Sequence, residues 1–223
     1  MIRSCRRPLT FIVLLVPGLS VPALAGELTD QIRQTTDRII AIVQDSASKD
    51  PNKEAERRAK IRKIIDERFD WDAMARSAMG KHWRGLAEAQ RKEFRGLFSQ
   101  LVEQTYMARV EGYSGEKLVY KGDKVDGKYG VADVVITTVK GTDIPVSYRV
   151  LKKSDKWMVY DITIEGVSLV NNYRSQISSI LDSSSYDDLV KKIRARLTED
   201  GAGEGDKGKD HKAEDTKRKE GTL

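Results

Sequence analysis

The sequence predicts an α+β domain in which helices pack on one face of a twisted antiparallel meander sheet of about four strands. Apolar residues recur with helical spacing over the first half of the chain, whereas residues 117–164 alternate as strands do. Helices and strands grouped in separate parts of a chain are typical of the α+β class. The roughly 173 residues from 26 to 198 are enough for one such domain with a substantial core.

Four amphipathic helices are predicted ahead of the strands. The long ones span 27–44, 53–69 and 88–110. A short helix begins with Asp70 or Asp72 as its N-cap and ends at Gly80. The last of the four has the widest apolar stripe, formed by Phe94, Leu97, Phe98, Leu101, Val102, Thr105 and Tyr106.

Four strands follow, and two helices close the domain. The strands span 117–121, 128–140, 144–153 and 156–164. Short turns at 126–127, 141–143 and 154–155 separate the four strands, and connections this short make strands antiparallel neighbours. The closing helices span 168–181, with Ser168 as N-cap, and 186–197.

The first 25 residues have the composition of a secretory signal peptide. A basic start with three arginines precedes the apolar stretch 9–16, and Ala23-Leu24-Ala25 provides a small-x-small cleavage site. We therefore expect cleavage after Ala25 and an exported mature protein. The apolar stretch is too short to remain as a membrane anchor. Export also argues against nucleic acid as the partner of this basic chain, whose net charge is +6.

The C-terminal segment 199–223 differs in composition from the domain. It has almost no apolar residues and carries eight acidic against six basic side chains. Such a segment cannot bury enough apolar surface to offset the entropy of ordering its backbone. We therefore predict a disordered charged tail.

The sequence contains little that could carry catalysis. Cys5 is the only cysteine, and it lies in the predicted signal peptide, so the mature chain has no thiol. His82 is the one histidine within the domain, and no motif for metal or phosphate binding occurs. In the segment 112–115, Gly-Tyr-Ser-Gly, the second glycine comes one residue too early for a nucleophile elbow. We predict a protein that is not an enzyme and has no metal or cofactor.

An ordered series of positions runs through the domain from about residue 28 to 197. It comprises Phe69-Asp70, Met74-Ala75, Gly80, Trp83, Gln90, Phe94, Phe98, Leu101, Tyr106, Val146, Tyr148, Trp157, Tyr160-Asp161, Glu165-Gly166-Val167-Ser168, Asn172-Tyr173-Arg174, Gln176, Tyr186, Leu189 and Leu197. In identity and spacing this series resembles the MlaC family of periplasmic phospholipid-binding proteins, the toluene-tolerance type. The resemblance covers nearly the whole predicted mature domain.

The resemblance implies a fold, a cargo and a set of partners. The sheet and helices should enclose a deep apolar cavity that takes the acyl chains of a glycerophospholipid, with the headgroup near solvent. The implied role is a monomeric carrier between an outer-membrane lipoprotein and porin complex and an inner-membrane ABC transporter with its substrate-binding ring. Such transport would help to maintain outer-membrane lipid asymmetry.

Candidate lining residues follow from the resemblance and from an excess of apolar side chains on both faces of the predicted strands. They are Met74, Met79, Phe94, Leu97, Phe98, Leu101, Val135, Val146, Tyr148, Val150, Met158, Ile162, Ile164, Val167, Leu169, Tyr173 and Ile177. Tyr106 and Arg174 are candidates for the mouth, where they could offer polar or cationic groups to a headgroup.

Two other interpretations stay open at this point. The apolar interior could be filled by its own side chains, which would make the protein a structural or adaptor domain. The protein could also be an exported lipid hydrolase, for which Ser114 and His82 are the residues to test.

Overall fold

A computed structural model describes residues 26–45 and 50–203, and in this part of the chain six helices accompany an antiparallel sheet. The helices are α1 Glu27–Gln44, α2 Glu54–Asp66, α3 Trp71–Met79, α4 Glu88–Glu111, α5 Leu169–Leu181 and α6 Tyr186–Gly203. The strands are β1 Lys117–Asp126, β2 Tyr129–Thr137, β3 Asp143–Lys153, β4 Lys156–Ile164 and β5 Val167–Ser168. Short 3-10 turns occur at Pro51–Lys53 and Gly80–Gly85.

The sheet is a meander with strand order β1-β2-β3-β4-β5, and every neighbouring pair is antiparallel. The predicted α+β class is confirmed. The strand count differs slightly from the predicted four because β5 adds a fifth strand of only two residues. So short a strand has no alternation from which it could be predicted.

Local capping signals in the sequence correspond to the helix ends in the structure. The Asp70 side chain accepts a hydrogen bond from the backbone N–H of Ala73, so Asp70 is the N-cap of α3. Ser168 likewise accepts from the N–H of Asn171 at the start of α5. The two predicted N-caps are confirmed, and the alternative cap, Asp72, pairs with Arg95 instead.

A β-bulge changes which residues of β4 share a face. Simple alternation predicts that Met158 lies on the same face as Ile162 and Ile164. In the structure Arg149 pairs with Asp161 but the next residue of β3 pairs with Val159, so β4 carries one additional residue, Tyr160. The alternation therefore inverts at the bulge. Val159 joins Ile162 and Ile164 on the inner face, and the expectation for Met158 is wrong.

The main hydrophobic core lies among helices and not between helices and sheet. Its buried residues all come from α3, α4, α5 and α6, with Phe98 stacked on Phe94 and edge-on to Tyr173. A second buried cluster joins the start of α1 to β2, β3 and β4 through Leu28, Ile32 and strand residues. Between these two clusters the sheet and helices are not packed against each other, which leaves an internal space.

A half-buried arginine, Arg68, ties α1 to the sheet. The Arg68 guanidinium donates to the Gln31 side-chain oxygen at 2.7 Å, to the Thr35 hydroxyl at 2.9 Å and to the Trp157 carbonyl at 2.8 Å. The same Gln31 oxygen accepts from the Trp157 N–H at 3.0 Å. Burial lowers the pKa of Arg68, although arginine remains charged at any physiological pH.

The Arg68→Ala variant should lose about 3 kcal/mol of unfolding free energy, because three part-buried acceptors lose a charged donor. The matched control is Arg38→Ala, which removes a 2.8 Å ion pair between Arg38 and Glu67, both about half exposed. Exposed pairs of this kind contribute less than about 1 kcal/mol. Urea denaturation of both variants measures the difference, and equal losses would contradict a special role for Arg68.

The predicted termini mostly fall outside the described residues. The predicted signal peptide, 1–25, lies entirely outside them, as does the predicted tail beyond residue 203. Helix α6 continues through Gly203, so residues 199–203 are helical although they were predicted to belong to the tail. Within residues 26–45 and 50–203, no helix is both long and apolar enough to cross a membrane.

Candidate functional site

An internal cavity of about 1320 Å³ lies between the sheet and helices α1, α2 and α4. Helix α4 separates it from the main core and uses a different face for each. Phe94 and Phe98 lie in the core and do not line the cavity, Met107 lines the cavity and is not part of that core, and Val102 and Tyr106 border both. The apolar stripe of α4 is wide because the helix serves both spaces.

The sheet supplies a continuous apolar wall. Cross-strand pairing aligns Leu118 with Ile136, Ile136 with Ile144, and Tyr148 with Ile162. These pairs bring together one face of four strands, formed by Leu118, Ile136, Ile144, Val146, Tyr148, Val159, Ile162 and Ile164. Apolar side chains in such a wall can hold an apolar ligand but cannot carry acid-base or nucleophilic chemistry.

Helix α1 forms the opposite wall, and the sequence analysis did not identify this role. Its first turns are packed on the sheet through Leu28 and Ile32, and its later turns place Ile39, Ile40 and Val43 along the cavity. A usable signal was present: the second half of α1 carries more apolar residues than one packed stripe requires.

Polar groups lie at the edges of the cavity. Arg62 forms an ion pair with Glu103, with 2.6 Å between Nε and Oε2, and Arg109 stacks over the Tyr106 ring at 5.4 Å. Burial raises the pKa of Tyr106, and the Arg109 charge partly opposes that rise. A cavity with a mostly apolar lining and exposed charged groups such as Arg62 and Arg109 on its boundary suits an amphiphile.

The structure divides the predicted lining residues into two main groups. On the cavity wall lie Val146, Tyr148, Ile162, Ile164, Val167 and Leu169, together with the predicted mouth residue Tyr106. In the helical core lie Met74, Met79, Phe94, Leu97, Phe98, Leu101, Tyr173 and Ile177. Helical periodicity identifies a buried side chain but not whether it faces a core or a cavity. Ligand contact of the wall residues stays a prediction.

Four predicted residues lie elsewhere. Val150 is fully buried in the cluster between α1 and the sheet. Val135 and Met158 are half-buried and are not part of the wall. The guanidinium Nε of Arg174 donates to the Ser77 carbonyl at 2.6 Å, and its side chain packs beside Gly80. Arg174 therefore supports the end of α3 and does not reach the cavity.

Tyr148 brings a phenolic hydroxyl onto the sheet wall. Its hydroxyl has no hydrogen-bond partner among the described residues, and burial raises its pKa to about 12. Because the unfolded chain releases the phenolic proton near pH 10 and the folded chain only near pH 12, the folded state loses stability across that interval.

The Tyr148→Phe variant removes this proton, so its unfolding free energy should fall less than that of the wild type between about pH 9 and 11.5. The expected difference is about 2 kcal/mol. Urea denaturation at both pH values provides the measurement, with Tyr129→Phe, whose residue is 50% exposed, as the matched control. Identical alkaline losses in wild type and Tyr148→Phe would contradict the burial of Tyr148.

The residues named for the hydrolase interpretation are not arranged for catalysis. The Ser114 hydroxyl donates to Glu116 at 3.1 Å in the loop after α4, whereas His82 faces Asp182 at 3.6 Å. Among residues 26–45 and 50–203, no three His, Cys, Asp or Glu side chains cluster as metal ligands would. The interpretation as a completely filled core is inconsistent with the cavity.

A smaller cleft of about 520 Å³ lies on the outer side of α3 and α4. Charged side chains dominate its lining, including Arg76, Arg91, Arg95 and Lys153. Burying acyl chains against so many charges would be unfavourable, so the internal cavity is the better candidate for an apolar ligand.

The fold and the cavity together define a class, an α+β domain with an open antiparallel sheet that encloses a space for an apolar ligand. The chain belongs to the MlaC protein family, whose sequence pattern it matches over residues 33–195. This confirms the resemblance found in the sequence.

Two individual comparisons agree with the family assignment. The chain is 23% identical over 171 residues to the Haemophilus influenzae intermembrane phospholipid transport system binding protein MlaC, covering 73% of this chain and 78% of that protein. Its fold is similar to that of a phospholipid-binding protein from Ralstonia solanacearum, solved in complex with a phospholipid. That likeness has a TM-score of 0.68 at 22% identity and covers 78% of this chain and 98% of the other.

Proposed function

We propose that the protein is a periplasmic carrier that binds a glycerophospholipid by its acyl chains and shuttles it between membrane complexes. The observation that carries the proposal is the large apolar cavity in a member of the MlaC family. The names of the two similar proteins, one a phospholipid transport system binding protein and one a phospholipid-binding protein, support the same cargo.

The cavity has the capacity for such a cargo. A methylene group occupies about as much space as a water molecule in the liquid, roughly 30 Å³. A volume of about 1320 Å³ could therefore hold on the order of 40 methylene groups. Two acyl chains contain on the order of 30, so the cavity is large enough for both chains of one phospholipid.

The lining has the chemistry that reversible binding needs. Burying about 30 methylenes from water contributes roughly 25 kcal/mol, and the bilayer offers the same chains about the same gain. A carrier must match the membrane and not exceed it, or it could not release its cargo. Walls that are mostly apolar meet this requirement, whereas strong headgroup contacts would hinder release.

The proposal also includes a cellular location and two membrane partners. We propose cleavage after Ala25 and release into the periplasm. There the monomeric carrier would exchange lipid with an inner-membrane ABC transporter and an outer-membrane lipoprotein and porin complex, and so help to maintain lipid asymmetry. The name of the Haemophilus influenzae relative, an intermembrane phospholipid transport protein, supports this arrangement.

Native mass spectrometry of the mature protein purified from a periplasmic extract tests the proposal. Bound mass should resolve into diacyl phospholipid after denaturation, and protein stripped of lipid should recover that mass from phospholipid vesicles. A lipid-free protein that also takes no phospholipid from vesicles would contradict the proposed function.

A further inference from the structure

The exposed apolar side chains of the domain fall at two opposite ends of the sheet. Among residues 26–45 and 50–203 the large exposed hydrophobic residues are Val125, Tyr129, Val139 and Val167. Val125 and Tyr129 flank the β1–β2 turn, whereas Val139 lies in the β2–β3 turn and Val167 follows the β4–β5 turn at the other end. The latter two are the most exposed, at 68% and 61%.

The turns that carry Val139 and Val167 are neighbours and are held in fixed conformations. The Glu165 N–H donates to the Pro145 carbonyl at 2.9 Å, which joins the β4–β5 turn to the start of β3. Glu165 and Gly166 both have positive φ, 49° and 82°, as a tight hairpin turn requires. The Thr138 N–H bonds the Thr142 carbonyl at 2.9 Å and closes the other turn.

An apolar path leads from this end of the sheet into the cavity. Val167 lines the cavity and pairs with Ile164, which in turn pairs with Val146 on the sheet wall. Glu165 and Thr138 lie on the cavity boundary beside this path. The exposed Val167 is therefore the outer end of the same apolar surface that lines the interior.

We propose that this end of the sheet, residues 138–142 and 165–167, is a membrane-contact edge whose valines enter the headgroup region of a lipid bilayer. The inference rests on the proposed function in taking the cargo to be a bilayer lipid. With Val139 and Val167 among the headgroups, an acyl chain passes from the bilayer along Ile164 into the cavity without crossing water. Crossing water is the step that apolar hydration makes slow and unfavourable.

The size and composition of the edge favour a bilayer over a protein partner. A stable protein interface buries about 800 Å² on each side, far more than two valines in turns provide. Asp143 and Glu165 are exposed at the same end, and so are Lys117 and Lys140, which form no ion pair within the described part of the chain. Their long stems let the ammonium groups reach lipid phosphates while the valines point deeper.

Uptake from protein-free vesicles tests the membrane edge. Phosphatidylethanolamine and phosphatidylglycerol vesicles carrying a self-quenched fluorescent phospholipid are mixed with lipid-free protein, and dequenching gives the uptake rate. The Val139→Asp variant should take up lipid at least roughly tenfold more slowly, because it loses the burial of one valine. The matched control, Val125→Asp, carries the same change at the opposite end of the sheet and should keep the wild-type rate.

A second pair of variants reports contact directly. When vesicles are added, the tryptophan fluorescence of Val139→Trp should shift further to the blue than that of the wild type, whose own Trp71 lines the cavity. Val125→Trp should shift no further than the wild type. Wild-type uptake in Val139→Asp, or a blue shift in Val139→Trp no larger than that of the wild type, would overturn the membrane edge. A third outcome would also overturn it: Val139→Asp slows uptake from cell-envelope membranes but not from protein-free vesicles. That result would indicate a protein partner. Native mass spectrometry separates these results from a failure of the proposed function, in which even the wild type holds no phospholipid.

Discussion

The Ile162→Asp variant should retain phospholipid about 100-fold less well than the wild type. Ile162 lies on the cavity wall between Tyr148 and Ile164 and is only half-buried by protein atoms. A carboxylate there would face acyl chains in an environment like the bilayer interior, where an aspartate costs about 3 kcal/mol. Native mass spectrometry after competition with vesicles measures the retained fraction.

The control for this prediction is Val135→Asp, which introduces the same charge on the opposite face of the sheet. Val135 is half-buried but does not line the cavity. The control should keep its phospholipid, and circular dichroism should show both variants folded. Full retention in Ile162→Asp would mean that the acyl chains do not lie against this wall.

Truncating Phe98 should have the opposite effect to Ile162→Asp. It should lower the unfolding free energy strongly and leave the amount of bound phospholipid unchanged. Phe98 is fully buried, stacks on Phe94 at 5.7 Å between ring centroids and meets the Tyr173 ring edge-on at 5.4 Å. Phe98→Ala should lower the unfolding free energy by about 3–5 kcal/mol, measured by urea denaturation.

The folded fraction of Phe98→Ala should carry wild-type amounts of phospholipid, because its side chain faces the core. If that variant does not fold, Phe98→Leu tests the same point at a smaller cost of about 1–1.5 kcal/mol. Lys92→Ala, exposed on the same helix, is the control and should change stability by less than about 0.5 kcal/mol. Loss of lipid from folded Phe98 variants would show that core and cavity are not separate.

Features set by local chemistry could be predicted from the sequence. The caps at Asp70 and Ser168 need only a side-chain oxygen and a nearby backbone N–H, and both are found in the structure. The meander order could likewise be predicted, because its short turns leave the strands no other way to connect.

Features set by tertiary packing could not be predicted. The bulge at Tyr160 depends on the register of β4 against β3, and one additional residue exchanges the inward positions of Met158 and Val159. The split of α4 into a core face and a cavity face depends on where its neighbours lie. Phe98 and Tyr106 belong to the same stripe in the sequence, yet one packs against Tyr173 and the other lines the cavity.

The measurement that tests the central claim most directly is quenching of tryptophan by a phospholipid with a nitroxide on its acyl chain. The chain has three tryptophans, and only Trp71 lies on the cavity wall, whereas Trp83 borders the outer cleft and Trp157 is buried under α1. Quenching should be strong in the wild type and in Trp83→Phe, and should largely disappear in Trp71→Phe. Quenching that survives in Trp71→Phe but is lost in Trp83→Phe would place the acyl chain outside the cavity and contradict the account.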